Sequence, residues 1–221
     1  MAIGYYTIYY YIVIKIEKFK YVQDSLLPMK NVRLLPEQII VPGEFDVHDG
    51  AILKIYFRIF ERGHGTDMPP LFVAHYTSAN MLATPGEFDS SIYRPGVDFY
   101  EMCNRTLRNA FSSGAEYFLL DGNHKSIAAT LANKPIQVLE LERGDDYQQL
   151  EKMVQTGELF NWDIPGKNLE ESMRELKFAL MNDLDRPNPL PLTLKERVDG
   201  LVLDGKVPKY MADLYHGKAK K

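Results

Sequence analysis

The feature that most constrains the fold is the segment YFLLDGNHKSIAA at residues 117–129, which predicts a strand, a tight turn and a helix in immediate succession. The apolar run YFLL is typical of a buried strand, and the alanine-rich run that starts at Ser126 is typical of a helix. The junction between them consists of Asp121, Gly122, Asn123, His124, Lys125 and Ser126. A chain with this segment needs a sheet on which the helix can pack.

The chemistry of this junction predicts a phosphate site. The first turn of a helix presents N–H groups and partial positive charge, so it holds anions. His124 and Lys125 add an imidazole and an amine, which a plain turn does not need. We therefore predict that phosphate groups bind here, through Gly122, Asn123, His124, Lys125 and Ser126. The alternative is a simple Asp-Gly turn followed by an asparagine that caps the helix.

Composition narrows the class of protein. A chain of 221 residues fits one domain with an added piece, or two small domains. Its formal net charge of −4 gives no support to wholesale binding of a nucleic-acid backbone. Cys103 is the single cysteine, which excludes a disulfide framework within one chain and favours a reducing, cytoplasmic compartment. The sequence leaves the oligomeric state open.

The N-terminal region differs from the rest in its tyrosine, isoleucine and valine content. Residues 3–16 favour a strand over a helix, and they are too short and too rich in tyrosine to span a bilayer, which needs about 20 apolar residues. We therefore expect a strand extension at residues 1–30 and no membrane partner. A translation start at Met29 is the alternative and would remove this extension.

Periodicity and breaker residues divide the remainder into two regions. We predict an α+β domain at residues 31–145, with an insertion at about 76–113, and a helical C-terminal region at 146–221. Strands are predicted at 71–75, 117–120 and 136–141, after an extended segment at 31–41. Helices are predicted at 51–61, 98–112, 146–156, 169–180 and 194–203, with a proline-rich linker at 185–191.

The order of these segments resembles the ParB/sulfiredoxin superfamily. The resemblance is carried by LLPEQIIVP at 34–42, PPLFV at 69–73, LLDGNHKSIAA at 119–129 and PIQV at 135–138. It implies a small α+β domain with a mixed, partly barrel-like sheet and helices, in which the strand-to-helix turn binds nucleotide phosphates. Members of this superfamily differ in chemistry, so the fold alone does not set the function.

Two branches of the superfamily match less well. Sulfiredoxin-like reductases carry a cysteine where this chain has Asn123, and an amide cannot form their sulfur intermediates. Cys103 falls on a separate predicted helix, where it is expected to be a packed residue. ParB proteins proper bind DNA through a helix-turn-helix, but residues 194–205 show no basic recognition face. DNA binding therefore stays an alternative.

The turn is closest to that of the free-serine kinases of the superfamily, which read Asp-Gly-His-His-Arg. In those proteins a Pro-x-Glu segment supplies a catalytic carboxylate, and here PGE at 42–44 occupies the corresponding place. The resemblance implies a phosphotransferase that uses ATP or ADP with Mg²⁺ and a small-molecule hydroxyl acceptor. Glu44 would be the base, Asp121 would hold Mg²⁺, and His124 and Lys125 would contact the phosphates.

This chain departs from the kinase pattern at three places. Asn123 replaces the first histidine, Lys125 replaces the arginine, and a long insertion precedes the motif strand. A lysine keeps the charge but loses the bidentate fork of a guanidinium. The rival interpretation is a non-catalytic module that binds DNA, a partner protein or a regulatory nucleotide. A metal cluster of Asp46, His48 and Asp49, completed by His64 or His75, is a further and weaker alternative.

Overall fold

The structure, a computed structural model, describes residues 29–41, 47, 49–82, 84, 97–157, 159, 164, 166–182 and 192–218. The predicted N-terminal strand extension lies almost wholly outside these ranges. So do Glu44 and the proline-rich linker at 185–191. Most of the predicted loop that begins at Tyr76 lies outside as well.

Six strands form one mixed sheet in the described residues. They are β1 (Lys30–Leu34), β2 (Ile39–Val41), β3 (Leu71–His75), β4 (Tyr117–Asp121), β5 (Ile136–Glu140) and β6 (Leu192–Thr193). Their order across the sheet is β1-β5-β3-β4-β2-β6. The pairs β2–β4 and β3–β5 are parallel, and the other neighbours are antiparallel. The sheet is open rather than closed into a barrel, and the predicted α+β class is confirmed.

Seven α-helices surround the sheet in the described part of the chain. They are α1 (Gly50–Glu61), α2 (Val97–Ser112), α3 (Asn123–Leu131), α4 (Asp146–Gln155), α5 (Leu169–Asn182), α6 (Leu194–Leu203) and α7 (Lys209–Tyr215). The predicted helices are confirmed to within two residues at either end, whereas β6 and α7 were not predicted. None of the helices in the described ranges is long and apolar enough to cross a membrane.

The sheet is buried on both faces. Alternate residues of β4 point to opposite sides, so Tyr117 and Leu119 join one apolar core while Phe118 and Leu120 join the other. The first core lies under α1, α3, α6 and α7, and the second lies under α2, α4 and α5. Burial on both sides explains why β2 and the first four residues of β3 and β4 are continuously apolar rather than alternating, whereas the edge strand β1 is mostly exposed.

The strand register brings several chain ends together at one end of the sheet, which we call the site end. Because β2 is parallel to β4, both strands finish there, at Val41 and Asp121. β3 is antiparallel to β4 and pairs Phe72 with Asp121, so β3 begins at the same end. The opposite end, which we call the far end, contains Lys30 and the C-terminal residue of β5, Glu140.

Candidate functional site

Gly122 forms the turn between β4 and α3 and occupies the N-cap position of the helix. Its φ of 108° lies in the left-handed region, which favours glycine. A Cβ at this position would lie 2.7 Å from the Cδ2 atom of Leu71, so the turn packs directly against the start of β3. Asn123 is the first residue of the helix, and the alternative in which Asn123 is the N-cap is therefore wrong.

His124 joins the start of α3 to the start of α1. Its Nε2 atom accepts a hydrogen bond from the backbone N–H of Asp49 at 3.2 Å. Asp49 is the N-cap of α1, and its Oδ1 atom accepts from the backbone N–H groups of Ala51 at 2.7 Å and Ile52 at 3.2 Å. An Nε2 atom that accepts carries no proton, so this bond holds the imidazole in its Nδ1–H form. Two helix N-termini thus lie side by side at the site end.

Lys125 reaches back from α3 to the start of β3. Its Nζ atom donates to the carbonyl oxygens of Pro69 at 3.2 Å and Pro70 at 3.4 Å. Burial lowers the pKa of Lys125 to about 8, and the negative charge of Asp121 opposes this shift. The amine is therefore charged at neutral pH, but its surroundings disfavour that charge.

Asp121 ends β4 next to this amine and is partly buried. Burial raises the pKa of Tyr56 on α1, and the negative charge of Asp121 raises it further. Asp121, Tyr56 and Lys125 thus share one electrostatic environment. The described ranges hold no group of three or more His, Cys, Asp or Glu side chains suited to a metal ion. Mg²⁺ needs only one or two protein carboxylates when phosphate oxygens complete its shell, so Asp121 fits that role.

Ser126, the last predicted phosphate contact, is buried. Its Oγ atom donates to the backbone carbonyl of Asn123 at 2.8 Å, and its N–H donates to the carbonyl of Gly122 at 2.9 Å. Both bonds stabilise the first turn of α3. The Ser126 hydroxyl would have to break its bond before it could contact a ligand.

The remaining predicted residues are dispersed or lie outside the described ranges. Glu44, Asp46 and His48 lie outside them. His64 and His75, which could have completed a metal cluster, interact locally instead. The Nδ1 atom of His64 lies 3.2 Å from Oδ2 of Asp67, and that of His75 lies 2.7 Å from Oγ1 of Thr77.

Sequence reasoning missed the residues that meet the turn from other elements. Tyr56 was not predicted to belong to the site, and Pro69 and Pro70 entered only as part of the segment PPLFV. The contact between the Asp49 amide and His124 joins residues 75 positions apart. Only the Pro-Pro pair had a local signal, because it places two carbonyl groups in an extended segment just before a strand.

Cys103 and α6 bear on the alternative functions. Cys103 is buried in α2, on the opposite face of the sheet from α3, and burial raises the pKa of its thiol to about 11. This favours a packed thiol over a reactive thiolate. In α6, Lys195 forms an ion pair with Asp199 at 2.9 Å, and Arg197 is buried. The basic residues of α6 thus do not form an open cationic face.

Comparisons with known proteins do not identify a family for this chain. No family model, curated protein or solved structure matches this chain. The resemblance to the ParB/sulfiredoxin superfamily therefore stays a prediction, and a function must be argued from the contacts at the site end.

Proposed function

We propose that the site end binds the phosphate groups of a nucleotide. The observation that carries this proposal is the 3.2 Å bond between the Asp49 amide and His124, because it places the starts of α1 and α3 together. The start of α3 has no side-chain cap, so it contributes partial positive charge and outward N–H groups, whereas Asp49 already accepts from two N–H groups of α1. The start of α3 follows the end of β4, beside the end of the parallel strand β2, and open α/β sheets bind ligands at the carboxyl ends of such strands.

The charges at the site favour a nucleotide bound with Mg²⁺ over a bare anion. Lys125 attracts phosphate, whereas Asp121 repels it unless a cation lies between the two. Asp121 would hold a Mg²⁺ ion, whose positive charge would offset this repulsion. Bound phosphate also compensates the Lys125 charge, which burial disfavours. ATP and ADP with Mg²⁺ are the ligands we propose.

Phosphoryl transfer to a hydroxyl acceptor is the activity that fits such a site. Charge that develops on the transferred group would be stabilised by the start of α3 and by Lys125, while a carboxylate orients the acceptor. Glu44 is our proposed base, because it belongs to the connection between β2 and α1, and both Val41 and Asp49 lie at the site end. A binding module without turnover is the rival, and hydrolysis or transfer of phosphate separates the two.

The first test is thermal stabilisation by ATP, ADP, CTP and GTP with Mg²⁺. A ligand at about 100 times its Kd should raise the melting temperature by roughly 5–10 °C in a chain of this size. The informative variant is Asn123→Asp, because a carboxylate in the first turn of α3 favours the helix but repels phosphate. Asn168→Asp is the matched control. It adds the same charge at the start of α5, where the Asn168 Oδ1 atom already accepts from the Glu171 N–H at 2.9 Å.

We expect a nucleotide-specific shift in the wild type and in Asn168→Asp, and its loss in Asn123→Asp. Equal shifts in all three proteins would place the nucleotide elsewhere. No shift with any nucleotide would leave residues 121–126 as a turn and a helix start. If a nucleotide does produce the shift, release of phosphate, or its transfer to an added hydroxyl compound, would favour the enzyme over the binding module.

A further inference from the structure

A second cavity opens at the site end, beside β1 and β5 rather than β4. Its volume is about 180 Å³, and its lining includes Arg33, Phe60, Gly65, Thr66, Lys134 and Gln137. Three separate parts of the chain build it: the end of β1, the end of α1 with the segment that follows it, and the connection from α3 into the start of β5. It contains none of the residues of the proposed nucleotide site.

The charge of this cavity is positive. Arg33 and Lys134 are both exposed, and neither forms an ion pair with another residue in the described ranges. The cavity lining includes no carboxylate. The whole chain has a formal net charge of −4, so two uncompensated cations around one concave surface stand apart from the average surface.

The cavity lining combines the apolar ring of Phe60 with polar side chains. A Cβ at Gly65 would lie 2.3 Å from Cδ1 of Phe60, so the backbone of Gly65 rests directly on the phenyl ring. Thr66 and Gln137 add a hydroxyl and an amide to the lining. Small-molecule pockets usually occupy about 300–1,000 Å³, so a cavity of this size accepts only a small ligand.

The cavity is separate from the phosphate turn. Gln137 belongs to β5 and Gly122 follows β4, and β3 lies between these strands. Strands are spaced by about 4.8 Å, so the two places are roughly 10 Å apart. The Lys125 amine donates to Pro69 and Pro70, which precede β3, rather than to the cavity lining.

We propose that this cavity binds a small organic anion through Arg33 and Lys134, with its short apolar part on Phe60. A guanidinium binds the two oxygens of a carboxylate or phosphate in parallel, and an ammonium adds a point charge. The shared chemistry is one oxyanion group on a compact ligand. A carboxylate with a short alkyl chain would contact Phe60 as well as the two cations, whereas inorganic phosphate would contact the cations alone.

The experiment follows backbone amide resonances of the full chain by NMR during titration with sodium butyrate or inorganic phosphate. Sodium chloride at matched ionic strength corrects for screening. The test variant is Arg33→Gln with Lys134→Gln. The control is Arg105→Gln with Lys206→Gln, which removes the same charge from exposed positions on α2 and after α6. Asn123→Asp separates this cavity from the nucleotide site.

We expect saturable shifts of the Gly63, Gly65, Thr66 and Gln137 amides in the wild type, the control and Asn123→Asp. The test variant should lose about tenfold or more in affinity, as expected when charge-assisted hydrogen bonds are removed. Tighter binding of butyrate than of phosphate would assign a carboxylate ligand, and the reverse order a phosphate ester. Shifts that do not saturate, or an equal loss in the control, would overturn the proposal.

Discussion

Two lysine amines at opposite ends of the sheet have opposite surroundings. At the far end, Lys30 Nζ lies 2.8 Å from Oε2 of the buried Glu140, and the interaction with that carboxylate raises the pKa of Lys30. At the site end, Lys125 donates to two neutral carbonyl oxygens, and burial lowers its pKa to about 8. The sequence gives no sign of this difference.

This difference indicates which of the two lysine charges is available to a ligand. The Lys30 charge is compensated by a carboxylate within the fold, so it contributes to structure. Among the described residues, the Lys125 amine directly contacts two carbonyl oxygens and has Asp121 as a nearby negative charge, so an incoming anion improves its environment. Cations that the fold leaves only partly compensated are the ones expected at binding sites.

The variant with the largest expected effect is Gly122→Val, which should break the site end. A side chain there adopts a left-handed conformation and overlaps Leu71, and these two costs together amount to about 3 kcal/mol of unfolding free energy. Gly200→Ala is the control, because it lies within α6 with open space around its Cβ position and should stabilise by about 0.5–1 kcal/mol. Urea denaturation measures both, and equal effects would contradict the packed turn.

The next largest effect should come from breaking the far end with Lys30→Met. This change leaves the buried Glu140 carboxylate without its ion-pair partner, so stability should fall. The loss should be smaller than for Gly122→Val, because the Lys30 side chain is 57% exposed and water compensates part of the charge. Adding Glu140→Gln should recover part of the loss in a double-mutant cycle measured by thermal unfolding. Strict additivity of the two changes would contradict a coupled pair.

The smallest effect sharpens the comparison through pH. Lys125 loses its charge as the pH rises through about 8, so nucleotide affinity should fall and be about tenfold weaker by about pH 9. The same group destabilises the fold below this pKa. Between pH 8 and the ordinary lysine pKa of 10.5, the unfolded chain binds more protons than the folded protein. The free energy of unfolding should therefore rise across this range.

Lys125→Arg provides the control for the pH experiment, because a guanidinium stays charged throughout this range. Calorimetric titration of the wild type and the variant across the pH range measures both affinities. A flat profile in Lys125→Arg and a falling one in the wild type would assign the dependence to the amine. An identical fall in both proteins would contradict that assignment.

Much of the fold could be predicted because its signals are local. The apolar run of β4 and the 3- and 4-residue spacing in α1 follow directly from burial on one or both sides. Gly122 was identified as part of a turn because the Asp-Gly pair is itself a local turn signal. The short elements gave weaker signals: β6 has two residues, and α7 has seven residues after Pro208. A pattern this short contains too little periodicity to be recognised.

The site was predicted at the correct turn, but its contacts were not predicted. The contacts of the Lys125 amine depend on where Pro69 and Pro70 lie in the fold, 56 and 55 residues earlier in the chain. The partner of His124 is a backbone amide of α1, and any residue type except proline at that position could supply it. Such contacts follow from the strand order, which residue patterns alone do not specify.

The two-residue strand β6 has a consequence for the C-terminal region. It pairs Leu192 and Thr193 with the outer side of β2, and α6 then covers β2 with Leu194 and Val198. A chain cut before Leu192 would expose the hydrogen-bonding groups of an entirely buried, apolar strand. Bare strands of this kind template pairing between molecules. The C-terminal helices therefore protect the protein from self-assembly. Their removal should yield aggregates rather than a smaller folded domain.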